Sequence, residues 1–448
     1  MAGTLIRSLR WLIGYQMARL LVGFFLGSWV ARILGPSEFG LLTTAAAMGS
    51  IAYCFVELGM RQLLLREVGR RKHSGALIAG TVFRLWLGLG AVATLLLALW
   101  NLAFQTLPWG VLLATSLPLL LTALSVHNNW EEGENRSYVA ARNAMWGYLG
   151  AAVARVLCIV CAPNALAIAW TFALESVLAG LLGMRTGVLR RRGIWPTGWS
   201  RSLAKCLLSR GCVLFLGQAG ALLLLRVDVI MIDQLCGKHE AGLYGAALRL
   251  SELAYFVSPM LVTILLPRLS QLLRRRDEED FRRLAMMGAG LMAMASFASV
   301  LVLMLVGSHG IRLLFGSSYE NAIPILFVHC VAVIPYFQME WRHAVLVATD
   351  LTRLTAWFCW AATGLNLLLN LMWIPRYGAV GAAWATLVSY TVCGLASTWL
   401  VKDLRWLARA QLFSLALPFD MLLRPKNHLA QWREVALRTN ASVGGKMA

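Results

Sequence analysis

Long apolar runs recur along the whole chain, and they restrict its fold more than any single motif does. A helix needs roughly 20 apolar residues to cross the hydrocarbon core of a bilayer. Hydrophobic residues make up 59% of the 448 residues and charged ones 14%, which excludes an ordinary soluble domain. The first run is expected to be a transmembrane helix and not a cleavable signal, because it lacks a small-residue cleavage site. Twelve spans are predicted, centred in 11–34, 40–64, 77–100, 108–127, 142–162, 165–184, 211–235, 241–267, 285–307, 321–341, 345–374 and 377–401.

Lys and Arg predict which ends of these spans face the cytoplasm, because positively charged loops stay on that side. With the N-terminus inside, 31 of the 41 Lys and Arg fall in inner segments, among them a loop with Arg342 and Arg353, and four fall in outer turns. This bias explains most of the formal net charge of +20 without a nucleic-acid partner. Both termini are therefore predicted to be cytoplasmic.

The turn after the first span is repeated after the seventh. The stretch "LGPSEFGLL" at 34–42 resembles "CGKHEAGLY" at 236–244, and the matched residues are 202 positions apart. The pairs are Gly35 with Gly237, Glu38 with Glu240, Gly40 with Gly242 and Leu41 with Leu243. Glycine, proline and a capping serine suit the end of one helix and the start of the next. We predict a structural role for both turns.

The repeat divides the chain into two halves of six spans each. A weaker echo pairs "PNALAIAW" at 163–170 with "PRYGAVGAAW" at 375–384, before the sixth helix of each half. Because six is even, both halves enter the membrane from the same side, as in transporters with a substrate site between parallel repeats. The predicted organisation is an N-terminal six-helix bundle over 1–184, a cytoplasmic linker over 185–210, a C-terminal six-helix bundle over 211–402 and a basic cytoplasmic tail over 403–448 with an interfacial helix.

Six Arg lie within the predicted spans, where one charge costs roughly 2.5–3.5 kcal/mol. Facing lipid, the six would cost on the order of 15–20 kcal/mol, so they are expected to line a wet cavity. A phosphate-bearing anion suits such a cavity, because the guanidinium fork matches phosphate oxygens. The predicted cavity residues are Arg19, Arg155, Arg226, Arg249, Arg61 and Arg84.

Three of these Arg have a simpler explanation in the sequence. Arg84 lies near the end of its span and could snorkel to the headgroups. Arg61 follows Glu57 by four residues, a spacing typical of a structural ion pair on one helix face. Arg249 and Glu252 are three residues apart, and internal pairing is the alternative there as well.

Acidic residues inside the spans are candidates for coupling transport to an ion. Asp228 has no aligned partner on its own helix, because Arg226 aligns with Asp233, seven residues on. A buried carboxylate of this kind can bind and release a proton or coordinate Na⁺, and the alternative is a pair with an Arg on another helix. The predicted ion-coupling candidates are Asp228, Asp233, Glu175 and Glu57.

No enzyme signature is present in the sequence. It contains no P-loop, no paired His with Glu at metal spacing and no nucleophile elbow. The close pair Cys158 and Cys161 has no second pair to complete a metal site, and the isolated histidines have no ligand-spaced partner. We therefore predict no enzymatic activity, no metal and no cofactor.

Four segments resemble the polysaccharide transporter family, of O-antigen flippase type, within the multidrug/oligosaccharidyl-lipid/polysaccharide exporter superfamily. They are "ARILGPSEFGLLTTAAA", "VELGMRQLLLREV", "RVDVIMIDQLCGKHEAGLYGAALRLSEL" and "RYGAVGAAWATLVSY". Asp228 falls on the Asp common in the family's seventh helix, and Gly35, Glu38 and Gly40 fall on its first outer turn. The resemblance covers about residues 10–402; the long basic tail departs from it.

The resemblance implies a function. It implies a protein of the bacterial cytoplasmic membrane with twelve helices in two bundles. The bundles would open the substrate site alternately to the two sides of the membrane. The substrate implied is an undecaprenyl-diphosphate-linked oligosaccharide, moved from the inner to the outer leaflet and coupled to H⁺ or Na⁺. A polysaccharide polymerase and a chain-length regulator are the implied partners.

Two sister activities and one other class of protein are the alternatives. A lipid II flippase would carry two further C-terminal helices, and a multidrug exporter would have a less basic cavity. A membrane-embedded glycan ligase or polymerase would present a large outer loop, whereas the predicted outer turns are all short.

Overall fold

The computed structural model describes residues 2–70, 75–187 and 198–423, and within those ranges it contains helices and no strand. Helices make up 93% of it, which confirms the predicted all-α membrane fold. The helices are α1 (Ala2–Glu57), α2 (Met60–Arg70), α3 (Gly75–Phe104), α4 (Trp109–Leu121), α5 (Val126–Gly133), α6 (Ser137–Cys161), α7 (Ala165–Thr186), α8 (Arg201–Cys236), α9 (Lys238–Tyr255), α10 (Val257–Arg274), α11 (Glu278–Gly310), α12 (Ala322–Ala348), α13 (Thr352–Thr391), α14 (Ser397–Leu400) and α15 (Arg405–Leu423). Short 3₁₀ turns cover Thr122–Ser125, Ser317–Tyr319 and Lys402–Leu404, and π-helical turns cover Ile311–Phe315 and Val392–Ala396.

Ten helical stretches in the described ranges are long and apolar enough to cross a membrane. Two of them, Arg10–Gly69 with 60 residues and Thr352–Leu400 with 49, each cover most of two of the predicted spans. A straight 60-residue helix would be about 90 Å long, three times the hydrocarbon thickness. Both stretches are interrupted by a glycine with a non-helical backbone, Gly35 (φ 75°) and Gly378 (φ 60°). The chain is a multi-pass membrane protein, and the count of twelve spans stays a prediction.

The contacts group the described chain into two compact units. The first contains the described residues up to 250, together with 306–329 and 356–386, and the second contains 251–305, 330–355 and the described residues from 387 onward. Each unit is thus assembled from several stretches of chain. The division into two six-helix halves is a different grouping and stays a prediction.

The two echoing turns of the first unit have the same backbone conformation. Gly35 has φ 75° and ψ 171°, and Gly237 has φ 89° and ψ 175°. The left-handed φ favours glycine at both positions, which explains why the sequence keeps it in both copies. The helix ends at each glycine and a new helical segment starts at the next residue.

The turns also pack directly against each other. A Cβ atom on Gly40 would lie 1.8 Å from the carbonyl oxygen of Lys238, and one on Gly242 would lie 1.9 Å from that of Pro36. Because Pro36 is equivalent to Lys238 and Gly40 to Gly242, the contact is reciprocal. Only glycine at both positions lets the two helices approach this closely.

The glutamate of each turn caps another helix. Glu38 Oε2 accepts a hydrogen bond of 2.8 Å from the N–H of Ala165, at the start of α7. Its counterpart Glu240 accepts one of 3.3 Å from the N–H of Ala379, just after the break at Gly378. A carboxylate is favourable at a helix N-terminus, so each glutamate links its turn to the start of a later helical segment.

Arg342 corrects one sequence-based span boundary in the second unit. The sequence placed it in an inner loop after a span ending at residue 341, but α12 continues to Ala348 and Arg342 is fully buried within it. Its Nη1 donates to the carbonyl oxygen of Cys393 and to Ser397 Oγ, the latter at 2.6 Å. These acceptors lie in and just after the π-helical turn, where carbonyl groups leave the regular helical pattern.

The same turn is held by α15, the helix in the segment for which we predicted an interfacial helix. The side chain of Gln411 is fully buried, and its Nε2 donates to the carbonyl oxygens of Gln338 (2.9 Å) and Gly394 (3.2 Å). Its Oε1 accepts a bond of 3.3 Å from Thr398. One face of α15 is therefore packed into the second unit, while the predicted basic tail beyond residue 423 lies outside the described residues.

Replacing Gln411 by Leu is expected to lower the free energy of unfolding by about 1–3 kcal/mol, because two buried carbonyl groups and a hydroxyl would lose their partner. Thermal unfolding of the purified protein in detergent measures the change. Leu412→Ala is the control, since the Leu412 side chain is 47% exposed. An unchanged Tm for Gln411→Leu would show that the docking of α15 does not stabilise the second unit.

Candidate functional site

Tyr148 in α6 is the point at which charged residues from four helices come together. Its hydroxyl donates a hydrogen bond of 3.4 Å to the carbonyl oxygen of Arg19 in α1. It interacts electrostatically with Arg155, Glu175, Arg19 and Arg249. Four of the residues selected from the sequence are therefore neighbours in the first unit, and we call them, with Tyr148, the Tyr148 cluster.

Two glycines of α1 make room for this cluster. A Cβ atom on Gly23 would lie 3.0 Å from the hydroxyl of Tyr148, and one on Gly27 would lie 1.3 Å from Nη1 of Arg249. Gly23 and Gly27 follow Arg19 by four and eight residues, so all three share one helix face. Because Gly23 and Gly27 have no side chains, the Tyr148 hydroxyl of α6 and the Arg249 guanidinium of α9 can lie directly against the backbone of α1.

Arg155 is the most deeply buried of the sequence-predicted cavity arginines. Its side chain is 5% exposed, its Nε donates a hydrogen bond of 2.9 Å to Thr171 Oγ1, and its guanidinium lies 4.0 Å from the ring centre of Phe172. Its Nη2 is buried and has no hydrogen-bond partner in the part of the chain that the structure describes. Arg155 therefore retains a donor that an anion could use.

A cavity of about 260 Å³ lies beside the acidic member of the cluster. Glu175 interacts electrostatically with both Arg19 and Arg155. Arg19 also contacts Tyr15, with 3.3 Å between Nη1 and the hydroxyl. The polar side chains along the cavity are Tyr15, Tyr53, Thr122, Ser125, Asn128, Glu175 and Ser176. Such a lining suits water, and the wet cavity expected around the embedded charges stays a prediction.

Asp228 in α8 forms a second polar site. It is 2% exposed and accepts hydrogen bonds from Tyr244 Oη (2.8 Å) and Asn370 Nδ2 (2.7 Å), and a further one from Thr386 Oγ1. Asn370 also donates to Asn366 Oδ1 at 3.0 Å. These five residues, which we call the Asp228 cluster, provide neutral donors from α9 and from both segments of α13. Hydroxyl and amide groups occupy the place where the sequence left open a partner Arg.

The Asp228 cluster is rich in oxygen atoms that a small cation accepts as ligands. One carboxylate, two amide side chains and two hydroxyls are gathered there, and the Asn370 amide oxygen has no hydrogen-bond partner among the described residues. Oxygen ligands suit hard cations. Within the described ranges no three His, Cys, Asp or Glu side chains gather as they would around a metal ion. A cation at Asp228 would therefore depend on amide and hydroxyl oxygens.

The other sequence-selected residues are not members of either cluster. Asp233 binds Lys238, with 2.5 Å between Oδ2 and Nζ. Arg61 binds Glu132 at 2.7 Å, while both oxygens of Glu57 accept backbone N–H groups, those of Gly59 and of Arg61 itself. The side-chain pair between Glu57 and Arg61 that their spacing predicts does not form. The helix breaks between them at Leu58 and Gly59, where φ is positive, so the two side chains bind other groups. Arg84 is exposed on α3, and Arg226 is partly buried on α8.

Several residues of the two clusters escaped the sequence interpretation. Tyr148, Tyr244 and Thr386 gave no signal, because single hydroxyl residues are common in apolar helices. Asn366 and Asn370 do have a signal in the sequence, because two amides four residues apart share a helix face within a predicted span. His329, to which we assigned no role, is fully buried, and its ring centre lies 5.1 Å from that of Tyr244.

The chain is similar to known transporters in sequence pattern and in fold. The model of the family described as "Polysaccharide biosynthesis protein" matches residues 29–324. No curated protein sequence matches significantly. Among solved structures, "Lipid II flippase MurJ, inward closed conformation" is similar with a TM-score of 0.69 and 14% identity, over 96% of this chain and 98% of that one.

Two other solved structures have the same fold. An inward-facing multidrug resistance MATE family transporter of the MOP superfamily has a TM-score of 0.63 and 16% identity, over 86% of this chain and 95% of that one. A MOP superfamily transporter from Pyrococcus furiosus has a TM-score of 0.58 and 15% identity, over 92% and 96%. At such identities the similarity shows the fold alone, and the fold is shared over nearly the full length.

Proposed function

Because the chain belongs to the polysaccharide biosynthesis protein family, we propose that it is a flippase for lipid-linked oligosaccharides. The substrate would be an undecaprenyl-diphosphate-linked repeat unit of O-antigen, capsule or exopolysaccharide, moved from the inner to the outer leaflet of the bacterial cytoplasmic membrane. The protein would act by alternating access and without enzymatic chemistry. A polysaccharide polymerase and a chain-length regulator are its proposed partners.

The observation that carries the proposal is the convergence of Arg19, Arg155 and Arg249 around Tyr148. Three guanidinium groups that act electrostatically on one hydroxyl within an apolar protein are costly unless an anion compensates them. A diphosphate offers several oxygens to which each guanidinium can donate two hydrogen bonds. Gly23 and Gly27 keep that region open for the clustered side chains. Glu175 offsets part of the positive charge, so the cluster suits an anion that must leave again.

The Asp228 cluster supports the coupling part of the proposal. A single carboxylate surrounded by neutral donors can exchange its hydrogen bonds for a proton or a Na⁺ ion. Its ligands come from α8, α9 and both segments of α13, so occupancy would favour one arrangement of these helices over another. The ion is left as H⁺ or Na⁺. Asp233 and Glu57 are already engaged by Lys238 and by backbone N–H groups, which leaves Asp228 and Glu175 as the better candidates.

Flipping by the purified protein in vesicles is the direct test. A fluorescent undecaprenyl-diphosphate-linked oligosaccharide is placed in one leaflet, and a lectin outside reports its arrival in the other. Arg155→Gln and Arg249→Gln are each expected to slow flipping about 10- to 100-fold, the effect of losing one charge-assisted hydrogen bond. Arg312→Gln is the matched control, because Arg312 is exposed and paired with Glu320.

Two outcomes would contradict the proposal. If Arg155→Gln and Arg249→Gln flip the substrate at the normal rate, the Tyr148 cluster does not bind the diphosphate. If the wild-type protein flips lipid II, or exports a cationic drug, and leaves the oligosaccharide lipid untouched, a sister activity is correct. Lipid II is included because a lipid II flippase shares the fold.

A further inference from the structure

A second cavity, of about 620 Å³, opens at the end of the first unit that carries the two echoing turns. Its walls are the first turn, the loop between α3 and α4, and Lys238 of the second turn. We call this cavity the Trp109 pocket. Its lining includes Ser37, Glu38, Gln105, Trp109 and Lys238. Its volume lies in the range typical of small-molecule sites, and neither the Tyr148 cluster nor the Asp228 cluster contributes to it.

The loop that forms one wall is held by side chains from three helices, α3, α8 and α9. Asn101 binds the backbone of Leu107 on both sides, donating to its carbonyl oxygen (2.9 Å) and accepting from its N–H (2.7 Å). Thr106 receives hydrogen bonds from Lys238 Nζ (2.6 Å, to its carbonyl oxygen) and from Gln234 Nε2 (3.0 Å, to its hydroxyl). A short loop with this many tertiary bonds keeps one shape, as a binding wall must.

Gln105 occupies an uncommon backbone conformation in this loop. Its φ is 47°, in the left-handed region that a non-glycine residue adopts at some cost, and its N–H bonds the carbonyl oxygen of Asn101 at 2.8 Å. The residue is exposed and lines the pocket, so its amide offers both a donor and an acceptor there.

The charges of the pocket argue against an anionic ligand. The ammonium group of Lys238 is bound to Asp233 at 2.5 Å, so its charge is already compensated. Glu38 contributes a carboxylate whose Oε2 caps α7, and the residue is exposed at the pocket. A phosphate would be repelled by Glu38 and would gain little from Lys238. Hydroxyl groups, which donate and accept, match the carboxylate, the serine and the amide.

The remaining wall is aromatic. Trp109 begins α4, and its side chain is 52% exposed beside Glu38 and Gln105. An exposed indole face next to hydrogen-bonding side chains suits the apolar face of a pyranose ring, with the sugar hydroxyls turned to the polar groups. We propose that the Trp109 pocket binds an uncharged sugar of the transported glycan. The inference rests on the proposed function and on the predicted outward orientation of both turns, where a translocated glycan would arrive.

Sugar binding can be measured without transport. The full-length protein in lipid nanodiscs is titrated with the methyl glycosides of N-acetylglucosamine, glucose and galactose, and with methyl glucuronide and glycerol phosphate as anionic probes. Saturation-transfer NMR reports contact and gives Kd. We expect at least one uncharged glycoside to bind in the millimolar range and the anionic probes to bind at least tenfold more weakly. Trp109→Ala is expected to weaken the uncharged glycoside about tenfold. Trp146→Ala, which removes an equally exposed indole from α6, is expected to leave Kd unchanged.

Each result decides the matter. No binding by the uncharged glycosides, equal binding by Trp109→Ala and the wild type, or preferential binding of glycerol phosphate as a lipid headgroup would overturn the inference. The flipping assay is read separately. If the wild type flips the oligosaccharide lipid but binds no glycoside, the pocket assignment fails and the proposed function stands; glycoside binding without flipping reverses that conclusion.

Discussion

Replacing Asp228 by asparagine is expected to reduce glycan flipping on the order of a hundredfold while the protein still inserts and folds. The substitution removes the only carboxylate of the Asp228 cluster but keeps a group that Tyr244, Asn370 and Thr386 can hydrogen-bond. Loss of one partner of a buried charged contact costs about 2–5 kcal/mol, which corresponds to a factor of about 30 to several thousand, and a hundredfold loss lies within that range. The rate is measured in vesicles with an imposed H⁺ gradient and, separately, with a Na⁺ gradient.

The dependence on the gradient is the sharper readout. In the wild type one of the two gradients should accelerate flipping, and in Asp228→Asn neither should. Glu320→Gln is the control, since Glu320 is an exposed acidic residue paired with Arg312. If the Asp228→Asn protein still responds to the same gradient, Asp228 is not the coupling site, and Glu175 becomes the candidate to test.

Replacing Gly40 by valine is expected to prevent stable folding of the first unit. The Cβ atom alone would lie 1.8 Å from the Lys238 carbonyl oxygen and 2.8 Å from the Gly242 nitrogen, and both neighbours are backbone atoms that cannot rotate away. The two helices would have to separate. We therefore expect the free energy of unfolding to fall by more than about 4 kcal/mol, which is exceptionally large for a single substitution. Gly242→Val should act alike, because its Cβ atom would meet the Pro36 carbonyl oxygen at 1.9 Å.

The amount of folded protein after detergent extraction and size-exclusion chromatography measures this effect. Gly88→Val in α3 is the matched control, because a Cβ atom at Gly88 meets nothing within 4 Å. Wild-type yield and Tm for Gly40→Val would mean that the two turns are not in contact in the membrane.

The spans could be predicted from the sequence because their signal is local. A run of about 20 apolar residues identifies a helix without knowledge of its neighbours. The prediction was wrong where local hydropathy falls although the helix continues, as at Arg342. That residue was assigned to a loop because a charge usually ends a span, whereas its partners Cys393 and Ser397 lie more than 50 residues away in the chain. No sequence window contains such a partner.

The candidate site was predictable only in part, for the same reason. Depth in a span selected Arg19, Arg155 and Arg249, and the structure places these three around Tyr148. Depth could not show that Arg61 turns to Glu132 after the break at Gly59, nor that Asp228 meets residues 142 and 158 positions later in the chain. These partners are fixed by helix packing, which a single sequence does not display.

The reciprocal contact between the two turns has a consequence for how such a chain could originate. In an isologous dimer with a two-fold axis, residue i of one copy contacts residue j of the other, and residue j of the first contacts residue i of the second. The two turns meet in this way. Thr43 and Gly245, also equivalent, touch each other, as residues beside such an axis do. Two separate chains that each carry one such turn could therefore associate through this same surface, and joining them end to end would preserve the interface unchanged. Later divergence could then introduce Pro36 in one copy and Lys238 in the other, while both glycines stayed fixed by the contact that the copies share.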